Sequence, residues 1–212
     1  MNKNPKTQDL IGNKNYQLLH KLHYDGILAF VLENIKKKTL GSLAYFASLF
    51  ILFFLILILS KQVFSVDAIT LKRYFLAIFY GFILGSFAII PFHELFHALA
   101  YRLIGAKKPK FGMDLRQLIF YVAADKFVVN RIEFHWVALA PFIIINVLTA
   151  SVFFSLNTNW QIISLYFLFF HNIMCIGDFA MLSFFHSHPK KKLFTFDILN
   201  EKTSYIYSRI EK

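Results

Sequence analysis

Charge is scarce in this sequence. Only 17% of the 212 residues are Asp, Glu, Lys or Arg, while 57% belong to the apolar and aromatic set. Water-soluble domains carry about 25% charged residues, so an ordinary soluble globule is excluded. Cysteine is nearly missing. Cys175 stands alone and closes no internal disulfide, which removes the secreted disulfide scaffolds. Glycine and proline number 8 and 5, too few for a collagen-like chain, and the apolarity excludes intrinsic disorder. What the chain has in excess is phenylalanine, 27 residues, together with a net charge of +11. The length allows one domain.

The uncharged runs are long. Residues 39–60, between Lys38 and Lys61, carry no charge, and a helix of that length covers the roughly 30 Å hydrocarbon layer of a bilayer. Residues 74–101 form a second run, 134–155 a third and 160–186 a fourth. The first begins too far into the chain, and is too long, for a signal peptide. Seven Lys and Arg precede residue 39, seven bracket or fill the second connection and six follow Pro189, whereas three flank the first connection and none the third. The positive-inside rule therefore predicts a multi-pass cell-membrane protein with both termini and residues 102–131 in the cytoplasm. The basic charge then reflects topology and attraction to anionic lipid, and no nucleic-acid partner is expected.

The expected fold is an all-α membrane protein of four transmembrane helices with a small cytoplasmic β-hairpin insertion in residues 110–130, where apolar stretches alternate after the turn-like KKPKFG. The division expected is a cytoplasmic N-terminal segment (1–38), a transmembrane domain (39–188) and a cytoplasmic tail (189–212). Within the first segment, residues 15–22 suggest a helix, and residues 27–35 a stretch lying along the membrane surface. Gly81 and Gly85 give a GxxxG spacing suited to close helix packing.

Two acids fall inside the apolar runs, Glu94 and Asp178, and the latter is the only charged residue between Glu133 and Lys190. An intramembrane charge costs about 2.5–3.5 kcal/mol on insertion scales and so marks a functional candidate. Glu94 lies in the sequence His93-Glu94-Leu95-Phe96-His97. Histidines four apart share one helix face and can reach one metal ion, and the glutamate between them suits a general base. The bland alternative is a His–Glu–His cluster satisfied by its own hydrogen bonds. A catalytic zinc needs a third protein ligand and an open position. Asp178 leads, because helix rise puts it roughly 12–18 Å from the cytoplasmic edge and the two histidines at about 14 and 8 Å. His171, His135, His186 and His188 are rivals. His171 and Cys175, four apart, admit a thiol–base pair, for which no third orienting group is evident.

These residues resemble a known family. HELFH, Ala140-Pro141 with Asn146, and His171-Asn172 followed by Gly177-Asp178 are similar to the zincin peptidases, a membrane family of otherwise unknown function that is itself similar to site-2 proteases. The resemblance covers roughly residues 70–200. It implies an intramembrane zinc metalloprotease fold in which His93, His97 and Asp178 hold Zn2+ and Glu94 is the catalytic base. Two departures stand out: here Gly177 precedes the aspartate, where site-2 proteases usually have it follow, and Ala140 replaces a glycine before Pro141. Asn172 and Asn146 are candidates for oxyanion or substrate contacts by type and position. The function expected is zinc-dependent hydrolysis of membrane-bound or membrane-adjacent polypeptides. The alternatives are a non-catalytic metal-binding membrane protein (a pseudoprotease) and a transporter relaying ions through Glu94 and Asp178. Four spans without a repeat argue against the transporter.

Overall fold

The computed structural model describes residues 4–61, 68–114 and 119–210. Lys3, Arg116 and Lys212 of the charge pattern, and the turn of the expected hairpin, lie outside the described residues. In chain order the elements are α1 (Thr7–Leu10), β1 (Tyr16–His23), α2 (Ile27–Ile35), α3 (Leu40–Lys61), α4 (Ala68–Ile83), a π turn (Leu84–Ala88), α5 (Ile90–Leu103), β2 (Lys110–Asp114), β3 (Ile119–Ala123) and β4 (Val129–Asn130). Then follow α6 (Arg131–Phe153), α7 (Thr158–Met174), α8 (Ile176–His186), β5 (Leu193–Ile198) and β6 (Thr203–Arg209).

Local chemistry sets the helix boundaries. Asn130 caps α6 by accepting from the Ile132 and Glu133 amides, and Glu133 accepts from the Asn130 amide in return, a capping box. Asn157 accepts from the Trp160 amide and starts α7. Three helical stretches among the described residues, Leu40–Ser60, Leu71–Ala88 and Arg131–Phe153, are long and apolar enough to cross a membrane. Helices α7 and α8 pass together as one, bent by 49°. The expected second and fourth runs are thus interrupted helices. The π turn divides the second, with Pro91 in the first turn of α5, where a missing N–H costs no helical bond. Cys175 marks the break in the fourth.

Close packing fixes α7 against the second run. A Cβ on Gly81 would lie 2.4 Å from Tyr166 Cβ, and one on Gly85 would lie 2.4 Å from the Phe167 carbonyl oxygen. The GxxxG pair is therefore the contact surface of two backbones. The main core runs through Tyr45, Val137, Ala138, Phe179, Ala180 and Phe185, with Phe134 stacked on Phe185 at 4.5 Å between centroids.

The all-α expectation is overturned by a four-stranded antiparallel sheet, ordered β1-β6-β5-β4. Its pairings run from Tyr16↔Arg209 through Leu193↔Ser208 to Val129↔Thr195. Residues 15–22, read from sequence as helix, are mostly β1. Backbone pairing with β6 outweighs the weak helical preference of Leu, Gln and Lys there. Leu193 and Ile206, at 1% and 0% exposure, tie this sheet to the helical core. The hairpin expected within residues 110–130 exists as the separate pair β2–β3, with Phe111↔Val122 and Met113↔Phe120 in register. Residues 27–35, expected as a stretch along the membrane surface, form helix α2, which packs on α8, where Ser183 Oγ donates to the Asn34 carbonyl at 2.7 Å.

Candidate metal centre

Helix α5 carries His93, Glu94 and His97 within its first two turns. The four-residue spacing brings the two imidazoles together, with Nε2 atoms 3.1 Å apart and ring centroids 4.8 Å apart. Asp178 occupies the first turn of α8, where the positive end of the helix dipole favours a carboxylate. The break at Cys175, a bend of 49°, puts Asp178 at the start of a helix and not in the middle of one. Asp178 Oδ2 lies 3.3 Å from His93 Nε2 and its Oδ1 lies 3.3 Å from His97 Nε2. Residues 85 positions apart in sequence thus meet on one point.

The far nitrogen of each imidazole is also engaged. His97 Nδ1–H donates to the Val137 carbonyl at 2.9 Å. That carbonyl is available because Pro141, four residues further along α6, has no N–H to donate to it. The sequence offered a signal here: a proline inside a helix leaves the carbonyl four residues earlier without its helical partner. His93 Nδ1 lies 3.2 Å from His171 Nε2. Both contacts leave Nε2 as the nitrogen facing the centre.

The donor set suits a small divalent cation. Zn2+ binds His nitrogen and carboxylate oxygen at 2.0–2.1 Å, and tetrahedral bonds of that length separate ligand atoms by roughly 3.3 Å. The observed spacings of 3.1–3.3 Å match. His93, Glu94 and His97 offer ligand atoms that all lie within 4.8 Å of one another. Glu94 is buried, and its Oε2 has no hydrogen-bond partner among the described residues. A buried carboxylate oxygen left bare is costly, which suits a group aimed at a bound water or substrate.

The remaining sequence candidates sit as follows. His171 is fully buried beside His93. Asn172 and Asn146 lie behind it and bond to each other, Asn146 Nδ2 donating to Asn172 Oδ1 at 2.9 Å. Cys175 Sγ is 3.7 Å from His171 Nε2, and His93, His171 and Cys175 form a second group able to hold a metal. His135 and His186 pair with each other, Nε2 to Nε2 at 3.0 Å, where α6 begins and α8 ends. His188 Nδ1–H donates to the Phe184 carbonyl at 2.9 Å.

No curated protein and no solved structure matches the chain. Residues 86–193, just over half of the sequence, match the family model described as "Putative zincin peptidase". The matched segment contains α5, α6, α7 and α8, and with them every residue of the centre. The protein belongs to that zincin peptidase family.

Proposed function

We propose that the protein is a zinc-dependent intramembrane peptidase, similar to site-2 proteases, that hydrolyses peptide bonds of membrane-bound or membrane-adjacent polypeptides. The observation that carries this reading is the convergence of His93 Nε2, His97 Nε2 and the Asp178 carboxylate, with the bare Glu94 Oε2 beside them. The membrane setting is supported by the long helices and by their surfaces. Leu43, Phe50, Phe75 and Val147 are 60–67% exposed, a disposition that suits lipid and not water. The distribution of Lys and Arg supports a cytoplasmic position for both termini.

His93, His97 and Asp178 would hold the zinc, which, when bound, polarises water and the substrate carbonyl and lowers the pKa of that water toward about 7. Glu94 Oε2 takes a proton from the attacking water as its oxygen bonds to the peptide carbonyl carbon. The same carboxyl then gives the proton to the departing nitrogen as the C–N bond breaks. The contacts of His97 with Val137 and of His93 with His171 hold both imidazoles in place during this exchange. A substrate helix must unwind to expose its peptide bond. The hairpin β2–β3 suits that need, because among the described residues β2 pairs with β3 alone, and its other edge suits strand addition.

The test is Glu94→Gln in purified full-length protein, with zinc content and cleavage of a quenched-fluorescent peptide mixture measured side by side. Zinc stays near one equivalent while turnover falls by about 100-fold or more, the scale of a lost general base. His93→Ala and Asp178→Ala lose both zinc and turnover. Unchanged turnover in Glu94→Gln would reduce the centre to a structural metal site.

A further inference from the structure

In the proposed chemistry His171 neither holds the ion nor moves a proton, yet it is a polar ring with 0% exposure. A polar ring is costly to bury unless both nitrogens are satisfied. Here both are. Its Nε2 lies 3.2 Å from His93 Nδ1, and its Nδ1 lies 3.3 Å from Asn172 Oδ1.

The proton positions follow from the far end of this chain. An amide nitrogen can only donate. Asn146 Nδ2 directs its two hydrogens to the Phe142 carbonyl at 2.8 Å and to Asn172 Oδ1 at 2.9 Å. Asn172 Oδ1 is therefore an acceptor, so His171 Nδ1 carries the proton that points at it. The Nε2 of that neutral ring then holds a lone pair, and His93 Nδ1 must supply the hydrogen between them. His93 Nε2 is left with its lone pair directed at His97 and Asp178. Two asparagines on different helices thus select one of the two neutral forms of a histidine on a third helix.

We propose that His171, set by Asn172 and Asn146, is a positioning residue that locks His93 in the tautomer whose Nε2 binds the metal. This rests on the metal-centre reading of His93, His97 and Asp178. It assigns the two asparagines to the support of the metal site, acting through His171 and not on the substrate. Partners that orient a metal-bound histidine are typically worth 10–100-fold in affinity. The competing geometry is the buried group of His93, His171 and Cys175, in which His171 would bind the ion directly.

The experiment measures Zn2+ affinity by chelator competition on the detergent-solubilised full chain, with Co2+ absorption as a second readout. His171→Leu weakens Zn2+ binding about 10–100-fold. His171→Gln recovers most of it, since a glutamine oxygen can accept from His93 Nδ1. Asn172→Leu falls in between, and Cys175→Ala binds as the wild type does. The Co2+ bands of every variant keep their position, because no ligand is lost. Melting of the metal-free proteins separates folding from binding; should His171→Leu not fold, the Gln and Asn172→Leu variants carry the test. Wild-type affinity in His171→Leu and Asn172→Leu overturns the proposal. So does metal loss in Cys175→Ala with altered Co2+ bands in His171→Leu, which places the ion in the competing group. A wild-type chain that takes up neither Zn2+ nor Co2+ overturns the metal-centre reading itself, a distinct result.

Discussion

Asp197 stands apart from the metal centre and has its own titration. Its side chain lies on β5 opposite Ser204, whose hydroxyl donates to it. Asp125, between β3 and β4, is joined to Asp197 by an isolated parallel bridge. Burial pushes the Asp197 carboxyl up to about 6, the nearby Asp125 charge adds to the rise, and the Ser204 hydrogen bond opposes it. The folded chain thus holds this proton more tightly than the unfolded chain does. The resulting stabilisation is complete below the ordinary aspartate range near 4, and it is lost as pH rises through about 6. A rise of that size is equivalent to about 3 kcal/mol. Thermal melts between pH 4 and 8 should show stability falling across that window. In Asp197→Asn, which cannot ionise, the fall disappears. A slope that survives the substitution assigns it to another group.

At the scale of single elements, Pro141 gives a sharper case, because one missing hydrogen reaches the metal centre from a neighbouring helix. Pro141→Ala restores an N–H that competes with His97 Nδ1–H for the Val137 carbonyl. Zn2+ affinity should fall by roughly 10-fold, the low end for an outer-sphere partner, while the metal-free protein keeps its circular-dichroism spectrum. Unchanged affinity would mean that His97 needs no such anchor. The helices themselves were legible in the sequence, since runs without charge and the His–Glu–His spacing are local patterns. Asp178 was legible as the lone acid in its run. The bend at Cys175 was not, because no proline stands there and the nearby Gly177 falls inside α8, past the break. Strand β1 looks helical in the sequence because Leu18, Leu19 and Leu22 recur at the spacing of one helix face, and the register shift between Leu18 and His20 interrupts the alternation of a regular strand. The tie between His93 and His171 spans 78 residues, and spacing along one helix carries no information about it.

Taken whole, the molecule joins strands from either side of its long helices in one sheet. Among the described residues, β6 is the only strand paired with β1, and Lys21 of β1 lies over the Tyr205 ring at 5.4 Å. Deleting residues 199–212 should strip β1 of this strand pairing while leaving the helices bearing the metal centre intact. Trypsin would then cut after Lys21 in the truncated chain within minutes, where the full chain resists, as read by mass spectrometry. Equal resistance in both would show that β1 is held by the helices alone.

The strand order also imposes a schedule. On the ribosome β1 emerges before any of the long helices, and β6 after all of them, so β1 must wait unpaired while the whole apolar bundle is threaded and packed. Only when synthesis has passed β6 can β1 gain this partner, so the sheet closes by reaching back across the helices to a strand made before them.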